Sequence, residues 1–238
     1  MNQFFLSNPI LNAYQGSDLF GKAIFLALLF LSIITWIIFM QKFFLQREIK
    51  LRGAQLIQLF QKKRLNPLGM EVGEALHPFA SLYRTLKDHT LELLQKNHSV
   101  IGEQKVTTLS ATDIDLIEAH LMTAISSETK GMEKNLFILA TIVSLAPFLG
   151  LLGTVWGILL TFAELQTGAA ANANATVMGG LAMALGTTVL GLLVAIPALI
   201  SYNYLKAKIA HLSADMEDFS HVLLASVELQ YRQVDINR

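Results

Sequence analysis

Residues 177–205 read VMGGLAMALGTTVLGLLVAIPALISYNYL and contain no acidic, basic or histidine side chain. At about 1.5 Å of rise per residue, a helix of this length exceeds the hydrocarbon core of a bilayer, which is about 30 Å thick. Two further runs, 23–40 and 135–163, share this character. Only helices and closed barrels satisfy their own backbone hydrogen bonds in lipid, and these runs are too long and too uniformly apolar for barrel strands. The sequence therefore predicts an all-α integral membrane protein with three transmembrane helices.

The composition of the whole chain agrees with this class. Hydrophobic residues make up 53% of the chain and charged residues 15%, whereas a soluble domain carries about a quarter charged residues. The formal net charge is zero, so nothing indicates nucleic acid. Cysteine is absent, which excludes disulfides and thiolate chemistry. Because no phosphate-binding loop, metal-binding His-Glu pair or nucleophile elbow occurs either, we expect no enzyme, no cofactor and no metal.

Basic residues predict the orientation, because they concentrate on the cytoplasmic side of membrane proteins. All the clusters agree on an outer N-terminus and an inner C-terminus. The first run is followed rather than preceded by basic residues and lacks a cleavage site, which indicates an uncleaved anchor. The clusters are Lys42, Arg47, Lys50 and Arg52 after the first run, Lys130 and Lys134 before the second, and Lys206 and Lys208 after the third.

These signals predict the organisation of the chain. The first half of the inner loop is predicted to form short helices, because Gly69, Gly73 and the pair His77-Pro78 interrupt it. A longer helix is predicted from an N-cap at Ser110 or Thr112 directly into the second span. The segments are an outer (periplasmic) N-terminus at 1–22, transmembrane helix 1 at 23–40, a cytoplasmic helical loop at 41–134, transmembrane helix 2 at 135–164, a periplasmic hairpin at 165–176, transmembrane helix 3 at 177–205 and a cytoplasmic C-terminal helix at 206–238.

Small residues recur at steps of three and four on the second and third predicted helices, which places them on one narrow face of each helix. The first predicted span has large apolar residues on all sides of its own helix and is therefore predicted to face lipid. On the third helix the same spacing of three and four continues, through larger residues, to Leu223. Helices 2 and 3 are both predicted to be long and to extend into the cytoplasm. The small-residue faces comprise Ala140, Val143, Pro147, Gly150, Thr154, Gly157 and Thr161, and then Ala184, Thr188, Gly191, Ala195 and Ala198.

Two interpretations of these faces stay open. Small residues let helix backbones approach closely, and threonine hydroxyls bond back to their own helix. Alternatively, the faces line a central passage, which requires a ring of copies. Threonine does not titrate near neutral pH, so it orients water without carrying a proton. Glu164 is predicted to be a solvated residue at the outer mouth, and a proton-carrying carboxylate therefore has to come from another subunit.

At two stretches the chain resembles a known family. Residues 153–158, GTVWGI, resemble the second-span signature of the ExbB/TolQ/MotA family of proton-channel stator proteins, closest to its TolQ/ExbB branch. Residues 186–198 with Tyr202 and Asn203 are similar to the third-span signature. The resemblance implies a homo-oligomer, a pentameric ring in the bacterial inner membrane around a dimer of an ExbD/TolR-type single-span subunit. That partner would supply a membrane Asp, and proton flow would energise a TolA- or TonB-type protein.

The resemblance also implies roles for individual residues. The pore threonines of the family fall on Thr154 and Thr188, and the predicted proton pathway also includes Thr187, which lies beside them. The family often has a glutamate where this chain has Met183, so its proton pathway would depend more on the partner. The helix-bending prolines fall on Pro147 and Pro197, and the small-residue pore seam falls on Gly150, Gly157, Thr161, Ala184, Gly191 and Ala195.

Three functions are compatible with these residues. The leading prediction is a TolQ-like stator of the Tol–Pal system, which the short outer N-terminus and the chain length favour. The alternative is an ExbB-like subunit that energises TonB-dependent import across the outer membrane. A prediction from another class is a non-conducting membrane scaffold, whose small-residue faces only pack helices.

Overall fold

The computed structural model describes residues 9–62, 66–70, 72, 77–100, 108–166 and 173–232. Within these ranges there is no strand, and a single isolated parallel bridge joins Leu109 to Arg232. The all-α prediction is therefore confirmed. The helices are α1 (Pro9–Gln15), α2 (Leu19–Lys62), α3 (Pro78–Val100), α4 (Ala111–Glu133), α5 (Leu136–Gln166) and α6 (Ala173–Tyr231).

The helices α2, α5 and α6 are each long and apolar enough to cross a membrane, which confirms the prediction of three transmembrane helices. The last of them, α6, has 59 residues and continues far beyond its apolar segment. Its second half keeps the predicted spacing of three and four, and the residues on that face are all buried: Leu205, Ile209, Leu212, Met216, Phe219 and Leu223. The predicted hairpin falls largely on 167–172, which lie outside the described residues.

The helix α2 is longer than the predicted first span, because it continues to Lys62 without interruption. The short helices expected after residue 40 do not form there, and the next long element is the single helix α3; Gly73 lies outside the described residues. The stretch 41–62 has no proline and consists largely of good helix formers such as leucine, lysine, arginine and glutamine. Its one glycine, Gly53, faces Phe79, whose ring would lie 2.7 Å from a Cβ at that position.

The helix that was expected to run unbroken into the second span is interrupted, so that prediction is wrong. It begins as predicted at Ser110, whose side chain and that of Asp113 form a capping box. It ends at Glu133, and α5 starts only at Leu136. Between them Asn135 has a φ of 73°. Asparagine adopts this left-handed conformation at lower cost than most residues, so Asn135 ends the helix without glycine or proline.

The chain divides into two compact units, Met1–Lys42 with Asn135–Leu205 and Phe43–Lys134 with Lys206–Arg238. In the second unit α3 packs on α4. The rings of Phe60 and Phe79 contact that of Phe219, and the ring of Tyr83 contacts that of Phe60. The N–H of Leu109 donates to the carbonyl of Tyr231 at 2.8 Å, which joins the start of α4 to the end of α6.

The first unit is held together by α2, α5 and α6. One cluster of buried apolar side chains takes Ile24 and Leu28 from α2, Ile142 and Ala146 from α5, and Val194, Ala195 and Ala198 from α6. The opposite side of α2 exposes large apolar residues, among them Leu29, Phe30, Ile33 and Trp36, as expected for a helix that faces lipid. The short helix α1 joins a second cluster, in which Ala13 packs on Phe25 and Met183.

Candidate functional site

The candidate site lies where α5 and α6 approach most closely, and glycine makes that approach possible. A Cβ added at Gly191 would lie 2.7 Å from the carbonyl oxygen of Ala146, and one added at Gly150 would lie 3.0 Å from the carbonyl oxygen of Thr187. A Cβ at Gly191 would force the backbone of α5 to shift, and one at Gly150 would fit only if its neighbours moved by a few tenths of an ångström. The backbones therefore meet directly at the level of the threonines.

The hydroxyls of Thr154 on α5 and Thr188 on α6 are in direct hydrogen-bond contact across this approach. Both also reach the same two backbone carbonyls, one on each helix. The Thr154 hydroxyl lies 3.1 Å from the oxygens of Gly150 and Ala184, and the Thr188 hydroxyl lies 3.3 Å from the same two oxygens. The structure thus brings together the two residues that the resemblance identified as a pair.

The third predicted threonine, Thr187, has a different environment. Its side chain is fully buried, and its hydroxyl lies 3.1 Å from the carbonyl oxygen of Met183 and 3.0 Å from that of Ala184. It also packs directly against Gly153. Thr154 and Thr188 are only partly buried by comparison. We use the name threonine pair for Thr154 and Thr188 alone.

The predicted seam residues lie along this same contact between α5 and α6. A Cβ at Gly157 would lie 2.7 Å from the carbonyl oxygen of Gly180 and 3.0 Å from the Cβ of Ala184. Thr161 packs on Gly180, and its hydroxyl donates to the carbonyl of Gly157 at 2.8 Å. Ala195 belongs to the apolar cluster with α2. These contacts agree with the packing interpretation of the faces within one chain; that the same residues line a passage stays a prediction.

The two predicted helix-bending residues, Pro147 and Pro197, lie inside α5 and α6. Proline has no N–H, so each leaves the carbonyl four residues earlier without its helical donor. Those carbonyls belong to Val143 and Leu193. Both helices continue through these positions, and bending there stays a prediction.

Met183 and Glu164 are the two remaining positions that the sequence analysis singled out. Met183 is 1% exposed and packs in the cluster with Ala13 and Phe25. The environment at the position where the family often has glutamate is therefore apolar in this chain. Glu164 lies exposed near the end of α5. The threonine pair has no titratable side chain among its hydrogen-bond partners in the part of the chain described.

Sequence reasoning missed one carboxylate near this region, Asp18. One of its oxygens accepts from the N–H of Gly21 at 2.9 Å, which caps α2, and the other accepts from the indole Nε1–H of Trp156 on α5 at 3.0 Å. Burial raises the pKa of this carboxyl, but the hydrogen bonds from Gly21 and Trp156 outweigh that effect, so the pKa lies below its ordinary value. An aspartate just before a long apolar run is a typical N-cap, and that signal was available.

The threonine pair can orient a proton carrier but cannot act as one. Each hydroxyl has one hydrogen to donate and lone pairs to accept, so the pair can present a donor or an acceptor to water. The runs 23–41, 135–163 and 177–205 contain no acidic, basic or histidine side chain. This arrangement defines a helical membrane protein with a polar, uncharged contact between two of its spans.

The sequence matches a family model described as the MotA/TolQ/ExbB proton channel family over residues 86–218, which is more than half of the chain. The chain belongs to this family. Among the three predicted functions, the match favours those that involve a proton channel.

Curated relatives carry the names of two branches. The chain is 31% identical over 223 residues to the biopolymer transport protein ExbB of Pseudomonas putida, an alignment that covers 92% of this chain and 64% of that protein. It is 30% identical over 228 residues to ExbB of Salmonella typhimurium, covering 94% and 87%. It is also 48% identical over 85 residues to the Tol-Pal system protein TolQ of Pseudomonas aeruginosa, covering 36% of each chain. The predicted resemblance to the TolQ/ExbB branch is confirmed.

Proposed function

We propose that this chain is the ion-conducting subunit of a proton-driven complex in the bacterial inner membrane. The observation that carries the proposal is the contact between the hydroxyls of Thr154 and Thr188, placed between two apolar helices that contain no charge at that level. A polar group inside a membrane is costly unless it is satisfied, and it is then usually functional. The orientation is the one that the basic clusters predict, with the N-terminus outside.

Conduction requires more than this chain. A proton relay needs a group that titrates, and the threonine pair does not. We propose that copies of the chain form a ring, a pentamer by resemblance, around a dimer of a single-span ExbD/TolR-type partner whose membrane Asp carries the proton. The threonine pair then orients the water or the carboxyl group through which the proton passes. The proton, rather than another cation, follows from the family.

The experiment that tests conduction uses the complex of this chain with its single-span partner in liposomes that contain a pH-sensitive dye. Thr154→Ala and Thr188→Ala should each reduce the potential-driven proton flux to below about a tenth, since about 1.4 kcal/mol of lost hydrogen bonding corresponds to a factor of ten. The matched control is Thr141→Ala on α5, because the Thr141 hydroxyl is exposed and donates to its own helix at 2.9 Å. Normal flux in both site variants, with the complex intact, would remove the threonine pair from the pathway.

Two forms of this proposal differ in the protein that the proton flow energises. A Tol–Pal role was favoured by the sequence, whereas the relatives that align along nearly the whole chain are named ExbB. Deletion of the gene in its native host distinguishes them. A Tol–Pal subunit should leave an outer membrane that leaks periplasmic protein and is sensitive to detergent, and an ExbB-like subunit should leave a defect in TonB-dependent uptake with an intact envelope.

The scaffold alternative draws on the glycine contacts, which pack α5 on α6 within one chain. Close helix packing and proton conduction can belong to one protein, and the flux experiment decides between a conducting and a purely structural role. Mass determination of the complex in mild detergent provides the second test. A ring of about five copies that holds single-span partners is the form the proposal requires, whereas a monomer or dimer without partners leaves only the scaffold.

A further inference from the structure

The carboxylate of Asp18 connects two of the helices that make up the first unit. In the ranges 9–42 and 135–205 the sequence contains two carboxylates, Asp18 and Glu164. Of these, Asp18 uses one oxygen to cap α2 at Gly21, at 2.9 Å, and the other to accept from Trp156 of α5, at 3.0 Å. One side chain therefore fixes the beginning of α2 to a defined position on α5.

The indole of Trp156 is also held by its packing. The ring of Phe20 lies 4.5 Å away, centroid to centroid, at an interplanar angle of 51°. The indole packs in addition against the cluster that Ala13 and Phe25 form with Met183. The side chain of Met183 occupies the space that a Cβ at Gly21 would need. Because Gly21 has no side chain, α2 can start close to α6. Trp156 thus occupies a specific position rather than a range of rotamers.

The geometry of α5 links this position to the threonine pair. Trp156 follows Thr154 by two residues, so it points about 200° away from Thr154 around the helix axis. On the Thr154 side, α5 meets α6 through Gly150, Gly153 and Gly157, so α5 contributes no side chain of its own at these three positions. A single polar contact can specify the register of packed helices, and the partly buried hydrogen bond between Asp18 and Trp156 is a contact of this kind.

We propose that Asp18 is a positioning residue of the threonine pair: by holding Trp156, it fixes the rotation of α5 at which the Thr154 hydroxyl meets that of Thr188. The inference deepens the proposed function, which gives the threonine pair its role. It concerns geometry, however, and its test does not require conduction. Asp18 itself does not contact the threonines, and acts on them only through Trp156.

The absence of cysteine provides the test, because a disulfide can form only between introduced residues. Thr154→Cys and Thr188→Cys are combined in the full chain, and the initial rate of disulfide formation in membranes is measured. Asp18→Ser keeps an N-cap residue but cannot reach the indole, and Trp156→Phe keeps the ring but lacks the N–H. Each should lower the rate at least about fivefold, the population change that one lost hydrogen bond produces. The combination of the two should lower it no further than either alone.

Two controls separate positioning from general loss of structure. Thr129→Cys with Ser213→Cys is the matched pair, since those hydroxyls lie 3.2 Å apart between α4 and α6; its rate should not respond to Asp18→Ser or Trp156→Phe. Trp36→Phe replaces the other tryptophan, which is exposed, and should leave both rates unchanged. If Asp18→Ser prevents folding, Trp156→Phe alone tests the proposal, because the same decrease in the rate between positions 154 and 188 is expected of it.

An unchanged rate between positions 154 and 188 in Trp156→Phe overturns the inference, and so does an equal decrease in the control pair. A selective decrease supports it whether or not the threonine pair conducts. If the rate falls selectively but Thr154→Ala conducts normally in liposomes, the proposed function fails while the positioning of α5 by Asp18 stands.

Discussion

Gly191 of α6 lies so close to Ala146 of α5 that a methyl group on Gly191 would be 2.7 Å from the Ala146 carbonyl oxygen and 3.2 Å from the Cα of Gly150. All the nearby atoms belong to the backbone of another helix. A backbone cannot move aside as the end of a flexible side chain can. The separation of α5 and α6, and with it the contact between Thr154 and Thr188, is therefore set by the absence of a side chain at this position.

The first prediction follows from this contact. Gly191→Ala should separate α5 from α6 and destabilise the protein by about 1–3 kcal/mol, the usual cost of overpacking. Thermal unfolding in detergent measures it. Gly131→Ala is the matched control, because no atom lies within 4 Å of its added Cβ and alanine stabilises a helix relative to glycine. A Gly191→Ala protein that unfolds at the wild-type temperature would contradict the close approach of α5 and α6 at Gly191.

A second prediction concerns the apolar position at Met183. Because Met183 is 1% exposed and packs with Ala13 and Phe25, Met183→Glu would bury a carboxyl group without a partner. The expected loss of stability is about 1–3 kcal/mol, from the desolvation of an unsatisfied polar group. Met183→Leu keeps the volume and should cost less than about 1.5 kcal/mol. The midpoint of thermal unfolding compares the two variants, and equal midpoints would show that the position tolerates an acid.

A third prediction separates the buried threonine from the threonine pair. Thr187 is fully buried and its hydroxyl contacts the carbonyls of Met183 and Ala184. Thr187→Val should therefore lower stability by about 1 kcal/mol while the complex keeps most of its proton flux. Thr187→Ser, which retains the hydroxyl, controls for the hydrogen bond. A loss of flux in Thr187→Val at unchanged stability would place Thr187 in the pathway instead.

A fourth prediction concerns pH and the second unit. Burial lowers the pKa of His77, although its Nε2–H donates to the carbonyl of Ile49 at 2.8 Å. In the unfolded chain the imidazole has its ordinary pKa of about 6.5. Below that pH the unfolded state binds a proton that the folded state still excludes, so stability falls as the pH decreases from about 6.5 towards the lowered pKa.

Unfolding of the full chain at several pH values measures this effect. His77→Gln should remove part of the decrease below about pH 6.5, because glutamine keeps a donor for Ile49 and does not titrate. His211→Gln is the control, since His211 is exposed on α6. The same pH dependence in wild type and His77→Gln would assign the decrease to other groups.

The membrane helices and their small-residue faces could be predicted because their signals are local, whereas the pairing of Thr154 with Thr188 was implied by the family resemblance. A run without charge defines a span, and steps of three and four bring Thr154 onto one face with Gly150 and Gly157. The burial of Leu205 and its successors followed from the same period. These features depend on residues that lie within a few turns of each other.

Features that depend on distant contacts could not be predicted. Asp18 and Trp156 are 138 positions apart, and no local pattern indicates that their side chains meet. The packing of Ala13 on Met183 is of the same kind. The break at Asn135 was missed for another reason: asparagine in a left-handed conformation ends a helix only when the surrounding structure favours it, and the sequence contains no stronger stop signal there.

The glycine contact between α5 and α6 has a consequence for how such a sequence can diverge. Positions 150, 153, 157 and 191 face backbone or a packed side chain, so we expect selection against larger residues there. The face of α5 with Phe148, Leu151 and Val155 is exposed in the single chain, and we expect it to accept other apolar residues more readily. Distant descendants of one ancestor should therefore retain identical residues in a narrow stripe. Similarity among them should be concentrated in short segments that contain these glycines.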